Sequence, residues 1–154
     1  MNRFLMSMLF LSVLISCHPQ DGIKTMNFGK FTIEVPGAWK KKKLLGEDSY
    51  VGGIVMESGK MAVFDLGYYS NDLEDIDSMA HEIEWKFIDG RRAKLVTPKG
   101  LNGYTGIYID SLWIGGYFGD DPMVVGFQMG ASDLSQEEKE QLRATFITLK
   151  FRDR

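Results

Sequence analysis

The sequence predicts an α+β domain with a mostly antiparallel sheet and helices packed on it. Three observations support this prediction. Short segments that alternate apolar and polar residues recur along the chain, which is the period of half-buried strands. Hairpin turns such as Asp89-Gly90 connect neighbouring segments and exclude the repeated crossovers of a parallel sheet. Near the C-terminus, Ser135 begins a capping-box pattern that predicts a helix.

Strands are expected where apolar runs end at turn residues. The first run ends at Pro36-Gly37, and Ser58-Gly59-Lys60 separates two later runs as a hairpin turn. The predicted strands are 31–35, 50–56, 61–68, 83–87, 91–97, 107–114, 123–129 and 147–151. Alternation predicts these core-facing residues: Phe31, Ile33, Val35, Trp85, Phe87, Ile107, Ile109, Leu149 and Phe151.

Two helices are expected. The stretch 70–79 begins with serine, asparagine and aspartate and continues with apolar residues at helical spacing, which is typical of an acidic helix start. The second helix begins at Ser135, whose hydroxyl caps it while Glu138 reaches back. Leu142 and Phe146 lie one turn apart in this helix and are expected to face the core.

The N-terminal segment has the layout of an export signal. Arg3 supplies a positive charge, and residues 4–15 form a stretch of 12 mostly apolar residues. That length fits the ~7–15 residues of a signal peptide and is shorter than the ~20 that cross a bilayer. The stretch ends in Leu14-Ile15-Ser16-Cys17, which resembles the lipobox of bacterial lipoproteins. The alternatives are an ordinary secretory signal with a chance cysteine, or a short membrane anchor.

The lipobox resemblance implies cleavage before Cys17 and acylation of that cysteine, the only one in the chain. Several acyl chains on one residue anchor a protein stably, whereas a single chain holds it only marginally. We therefore predict a signal peptide over 1–16, a tether over 17–26 and a single domain over 27–154. The protein is expected in the cell envelope, anchored by lipid to a bacterial membrane, with the domain outside the cytoplasm. A net charge of −3 argues against a nucleic-acid binder.

The stretch FTIEVPGAW, residues 31–39, resembles the opening strand of PsbP-like domains, which include bacterial DcrB-type lipoproteins. The order of strands and the closing stretch ATFITLKF are similar as well. The resemblance implies a central antiparallel sheet with helices on both faces. It also implies a role in binding or assembly more often than in catalysis. No functional residue is transferred, because no site motif of the family is matched.

The chain carries few residues of the kind that catalysis or metal binding requires. Apart from His18 in the predicted tether, His81 is the only histidine, and neither HExxH nor CxxC occurs. The glycine pairs lack the GxGxxG spacing of a phosphate-binding loop. We therefore expect no enzymatic activity, no metal and no cofactor.

Asp65 is the carboxylate of most interest, because alternation places it on a strand face with apolar neighbours. We expect it to form a structural ion pair with Arg91 or Arg92. A less favoured alternative is a carboxylate-based hydrolase that uses Asp65 together with Asp110.

Two surfaces are candidates for contact with other molecules. The run Lys40–Lys43 is expected to form a lysine-rich edge that prevents aggregation between strands, and contact with anionic lipid headgroups is the alternative. Aromatic residues at strand ends are the candidate partner-binding residues. They are Tyr68, Tyr69, Tyr117 and Phe118.

The predicted function is a membrane-anchored, non-catalytic binding or assembly module with a protein partner; the alternative is a carrier of a small apolar ligand.

Overall fold

The computed structural model describes residues 22–114 and 123–152, which form two antiparallel sheets and one helix. The elements are β1 (Ile23–Asn27), β2 (Phe31–Pro36), β3 (Lys40–Lys43), β4 (Tyr50–Val55), β5 (Met61–Gly67), β6 (His81–Ile88), β7 (Arg91–Pro98), β8 (Tyr104–Ile114), β9 (Met123–Ser132), α1 (Gln136–Ile147) and β10 (Lys150–Phe151). The smaller sheet has the strand order β1-β2-β10, and the larger has the order β3-β4-β5-β9-β8-β7-β6. The predicted mostly antiparallel sheet is confirmed.

The turns follow from residues that tolerate a left-handed backbone. Asp89 and Gly90 have φ values of 52° and 74°, as the two-residue hairpin between β6 and β7 requires. Gly59 has a φ of 87° in the turn between β4 and β5. Both predicted hairpins are therefore confirmed, and their short turns fix the register of the strands beside them.

The core lies between the two sheets and is closed by α1. Phe31 is fully buried at its centre, with ring centroids 4.9 Å from Phe28, 4.9 Å from Phe64 and 5.1 Å from Phe127. The helix begins with the predicted capping box and buries the predicted Leu142 and Phe146. The closing strand β10 is shorter than expected, because α1 continues to Ile147.

The helix predicted over 70–79 is wrong, and α1 is the one helix in the part of the chain that the structure describes. The polar residues that suggested a helix cap form local turns instead. Asn71 Oδ1 accepts a hydrogen bond from the backbone N–H of Leu73 at 2.7 Å, and Asp72 Oδ1 accepts one from Glu74 at 2.9 Å. Leu73 has a φ of 58°, which a right-handed helix excludes. Side-chain hydrogen bonds of this kind compete with helix formation.

The predicted tether over 17–26 extends too far, because Ile23–Asn27 form strand β1. This strand pairs with β2 along its whole length, from Ile23 opposite Pro36 to Asn27 opposite Thr32. Only Met26 of its five residues is buried, so the alternation that marks a strand is weak here. The segment 17–21, which includes Cys17, lies outside the described residues.

The prediction that Trp85 and Phe87 face the core is wrong. Both are exposed, at 52% and 80%, on the face of the large sheet that points away from the core. Strand β6 does alternate between two faces, but the face that carries Trp85 and Phe87 is the outer one. Glu84 lies on the inner side of this edge strand, where its carboxylate pairs with the Arg143 guanidinium of α1 at 2.7 Å. The other residues predicted to face the core are buried.

Candidate functional site

The large sheet has an inner face against the core and an outer face away from it. On the outer face, Tyr104 and Tyr108 lie over glycines of β8 and β9. A Cβ atom added at Gly106 or Gly130 would overlap the Tyr104 ring, and one at Gly126 would lie 3.0 Å from the Tyr108 ring. The glycines therefore allow the two rings to lie close against the sheet backbone. Gln128, between these glycines on β9, donates a hydrogen bond to the Tyr104 hydroxyl.

The segment 68–80, which connects β5 to β6, crosses this outer face. Ser70 Oγ donates to the carbonyl of Gly126 on β9 at 3.0 Å. Farther along, Lys94 Nζ of β7 donates to the carbonyl of Leu73 at 2.6 Å, and the Leu73 side chain is buried. These contacts fix the first part of the crossing segment on the sheet and leave an open space beside it.

That space, the outer cleft, has a volume of about 490 Å³. Its lining carries both signs of charge together with two aromatic rings. The lining residues are Asp72, Glu74, Trp85, Arg91, Arg92, Lys94, Tyr108, Asp110 and Ser111. A cleft of this composition can hydrogen-bond to polar and charged groups of a ligand, and its open shape suits a surface contact better than enclosure of an apolar molecule.

The electrostatics of the outer cleft keep its tyrosine protonated. Burial raises the pKa of Tyr108, the carboxylates of Asp110, Asp72 and Glu74 raise it further, and together they bring it to about 12. The hydroxyl, 3.4 Å from Asp110 Oδ1, is therefore a hydrogen-bond donor throughout the physiological range. Burial also raises the pKa of Tyr104 above its usual range.

The rim of the outer cleft is an exposed aromatic edge. Strand β6 is the last strand of the sheet, and the outer side of its backbone has no partner strand among the described residues. Trp85 and Phe87 project from it on the side of the cleft. The Arg92 guanidinium lies 4.0 Å from the centre of the Trp85 ring, a cation–π contact that holds the indole in place. Sequence alternation had detected these aromatic residues but assigned them to the core.

The predicted partner-binding residues Tyr68 and Tyr69 are both exposed, with ring centroids 6.3 Å apart. They directly follow β5. Strands β5 and β8 run in the same direction, because β9 lies between them and is antiparallel to both. The C-terminal ends of β5, at Gly67, and of β8, at Ile114, therefore lie at the same end of the sheet as the hairpin between β6 and β7. Tyr117 and Phe118, the other two predicted residues, lie outside the described residues.

The ion pair expected between Asp65 and Arg91 or Arg92 is wrong. Arg91 bonds to Asp89 at 2.8 Å, and Arg92 stacks on Trp85. The strand order places β5 and β7 three strand spacings apart, about 14 Å, which is too far for a direct pair. Asp65 Oδ1 is buried and accepts no hydrogen bond from the described residues.

The alternative pair of carboxylates, Asp65 and Asp110, lies across two strand spacings of the outer face. The register places Asp65 opposite Gln128 and Gln128 opposite Tyr108, two residues before Asp110. The two Cα atoms are therefore about 12 Å apart. Asp110 lines the outer cleft, whereas Asp65 is not among the lining residues.

Within the ranges 22–114 and 123–152, no cluster of three or more His, Cys, Asp or Glu side chains is arranged to hold a metal ion. The described helix is too short to span a bilayer, and no other described segment is a helix that could do so. Comparisons of the chain with protein-family models, with curated proteins and with solved structures give no match.

Proposed function

We propose that this protein is a membrane-anchored bacterial lipoprotein whose domain is a non-catalytic module that binds a protein partner in the cell envelope. The proposed localisation rests on the N-terminal pattern that ends in Cys17. A PsbP-like domain is part of the proposal, supported by the stretch FTIEVPGAW in β2 and the turn after it, and by the closing helix and strand.

One observation supports the binding role above the others: an exposed aromatic edge borders a charged cleft. Trp85 and Phe87 expose large apolar surfaces on an edge strand of eight residues, whose outer side pairs with no strand among the described residues. Each exposed ring forgoes burial worth about 2 kcal/mol. Two such rings beside a cleft therefore indicate that they contact another molecule. Aromatic residues are enriched at the centres of protein interfaces, where the rings fill pockets of the partner.

The geometry favours a partner segment in an extended conformation. The outer backbone edge of β6, which no described strand pairs with, offers N–H and C=O groups to an added strand, and strand addition is a common mode of peptide recognition. Side chains of that segment would alternate between the outer cleft and the opposite side. Arg92, an exposed cation of the cleft, can pair with acidic side chains, while Asp72 and Asp110 can pair with basic ones.

The test is capture of the partner from solubilised membranes by the intact lipoprotein. Replacing Trp85→Ser together with Phe87→Ser is expected to reduce capture at least about tenfold, as loss of two anchor residues typically does. The melting temperature should fall by no more than a few degrees, because Phe87 is 80% exposed and Trp85, which contacts Arg92, is about half exposed. Leu101→Ser is the matched control, since it removes an exposed apolar side chain outside the cleft.

Two outcomes would contradict parts of this proposal separately. Unimpaired capture by the double variant would reject the aromatic edge as the contact while leaving the binding role in place. A mature N-terminus at any residue other than an acylated Cys17, read by mass spectrometry, would reject the lipoprotein address. Cys17→Ala is expected to leave the precursor uncleaved.

A carrier of a small apolar ligand is the second candidate. That function would require an enclosed, mainly apolar cavity above about 300 Å³. The outer cleft is large enough at about 490 Å³, but it is open and most of its lining residues are charged. A surface contact with a polypeptide is therefore better supported than enclosure of an apolar ligand.

A further inference from the structure

One side of the domain gathers lysines from both sheets. Strand β1 is an end strand of the small sheet, and β3 is an end strand of the large one. Their side chains join the two edges: Lys41 Nζ of β3 donates to the carbonyl of Asn27 at 2.8 Å and lies 4.5 Å from the centre of the Phe28 ring. Lys24 of β1 donates to the carbonyl of Gly37, just before β3. We call Lys24 together with Lys40–Lys43 the lysine edge.

The charges of the lysine edge are exposed and largely uncompensated. Lys40 and Lys42 point to one side of β3, and Lys41 and Lys43 to the other, so the strand is positive on both sides. Among the described residues, Lys40, Lys42 and Lys43 take part in no ion pair. The next acids along the chain, Glu47 and Asp48, offset only part of this charge.

An exposed leucine continues the lysine edge. Leu45, two residues after the lysine strand, is 92% exposed. It borders a groove of about 480 Å³ whose lining includes Lys42, Lys43, Phe28 and Tyr50. Basic side chains beside an exposed apolar one are the combination that binds at the surface of an anionic bilayer, where lysines meet phosphates and the apolar group enters the headgroup region.

The position of the anchor brings this side to the membrane. Five residues separate Cys17 from Ile23, the first residue of β1, and the six steps between these two Cα atoms span at most about 21 Å when the chain is fully extended. An acylated Cys17 therefore keeps the start of β1, and Lys24 beside it, close to the lipid surface. Because β1 and β3 share one side of the domain, the same tether brings Lys40–Lys43 near the headgroups.

We propose that the lysine edge docks directly on an anionic leaflet, with Leu45 entering the headgroup region, so that the lipid anchor holds the domain in one orientation. This inference rests on the proposed acylation of Cys17. The sequence favours a different role for these lysines, which is to protect the β3 edge against pairing with other strands. Both roles are compatible, because a bilayer that covers the edge also blocks that pairing.

The experiment measures how fast each lysine is acetylated by a water-soluble reagent. The acylated mature protein, which begins at Cys17, is added to preformed vesicles of phosphatidylcholine, either alone or with about 30% phosphatidylglycerol. With anionic lipid, acetylation of Lys40–Lys43 is expected to slow at least about fivefold, the factor that one near-surface lysine contributes to binding. Lys150, exposed on β10 at the far edge of the small sheet, should react at the same rate on both vesicles. High salt should remove the protection, because it screens surface charges.

Variants separate specific docking from general attraction of charge. Lys42→Gln with Lys43→Gln should reduce the protection of Lys40 to less than about twofold. The charge-matched control, Lys150→Gln with Arg152→Gln, removes two exposed charges elsewhere and should leave the protection intact. Leu45→Ser should weaken it, whereas Leu101→Ser should not.

Equal acetylation rates on neutral and anionic vesicles would overturn this inference while leaving the lipoprotein proposal standing, provided that the same spectra show an acylated Cys17. An unmodified Cys17 would instead overturn the anchor, and with it the docking that depends on it. Protection that the lysine-edge variant retains in full would also overturn the inference.

Discussion

Replacing Glu138 by glutamine is expected to destabilise the domain at neutral pH and to have little effect near pH 2. Glu138 lies in the first turn of α1 and joins that turn to the hairpin between β4 and β5. Its Oε2 atom accepts hydrogen bonds from the backbone N–H of Ser135 at 2.7 Å and from Lys60 Nζ at 3.1 Å. Its Oε1 atom accepts one from Ser58 Oγ. Three separate donors thus converge on one carboxylate.

The structure gives the size and the sign of the effect. Burial raises the pKa of Glu138, but the hydrogen bonds from Ser58, Ser135 and Lys60 lower it by a larger amount. The pKa therefore falls from 4.5 to about 2. A difference of this size corresponds to about 3 kcal/mol of folding free energy. Lys60 is 41% exposed, so solvent screens part of the interaction, and we expect about 1–2 kcal/mol. Because the folded-state pKa is depressed, this stabilisation is complete above about pH 4.5 and is lost as the pH falls towards 2.

The measurement is urea unfolding of the wild type and Glu138→Gln at pH 7, pH 4 and near pH 2. The loss of about 1–2 kcal/mol at pH 7 should be accompanied by a melting temperature lower by several degrees. The difference between the two proteins should narrow at pH 4 and nearly vanish near pH 2. Glu57→Gln is the control: this exposed carboxylate lies beside Ser58 but has no described hydrogen bond, so its replacement should be neutral at each pH.

A difference between wild type and Glu138→Gln that stays constant from pH 7 to pH 2 would refute the electrostatic reasoning, because a neutral packing defect would behave in that way. A difference of zero at pH 7 would show that the three hydrogen bonds only replace equivalent bonds to water.

Two further predictions concern the outer face and metal dependence. Gly130→Ala should destabilise the domain by about 2–3 kcal/mol and alter the near-ultraviolet circular dichroism, because the new methyl group overlaps the Tyr104 ring and the Thr105 carbonyl. Gly100→Ala, where a Cβ meets nothing within 4 Å, should change neither property. A chelator should leave the melting temperature unchanged, because the sequence of the predicted domain over 27–154 offers one histidine and no cysteine as metal ligands; a large fall would contradict the expectation of metal-free folding.

The strands and hairpins could be predicted because their signals are local. Asp89-Gly90 specifies its turn through the backbone conformations that those two residues tolerate. The capping box at Ser135 specifies the start of α1 through hydrogen bonds three residues apart. Such features depend on neighbouring residues alone, so one sequence is enough to find them.

The errors arise where distant parts of the chain decide the outcome. Alternation in β6 shows two faces but not which of them meets the core. That choice follows from the register with β7, which places Glu84 opposite the buried Leu95 and Trp85 opposite Lys94 on the outer face. On the inner side, Glu84 pairs with Arg143 of α1, 59 residues away. Likewise, segment 70–79 has helical spacing, yet it lies as an irregular crossing segment because Lys94 and the outer sheet face bind Leu73 and its backbone.

The candidate site was only partly accessible from the sequence for the same reason. The outer cleft combines residues of the crossing segment with residues of three strands, and no local pattern links Asp72 to Arg92 or Asp110. The tyrosines at the end of β5 were identified because they follow a strand directly. The tyrosines lying on glycines were missed, since a glycine on one strand and a ring on the next become neighbours only through the register.

The lysine edge and the aromatic edge include the two opposite edge strands of the large sheet, so the position of one determines the position of the other. Strand β3 carries the lysine edge and β6 the aromatic edge, with six strand spacings between them. At about 4.8 Å per spacing, the two edges are about 29 Å apart along the sheet. Docking of β3 on the membrane would therefore present Trp85 and Phe87 on the side farthest from the lipid. A partner would meet that edge as an exposed strand held at a defined height above the bilayer, rather than on a domain that turns freely on its tether. If docking serves this purpose, loss of the lysine edge should weaken capture of a membrane-bound partner while leaving capture of the same partner in detergent unchanged.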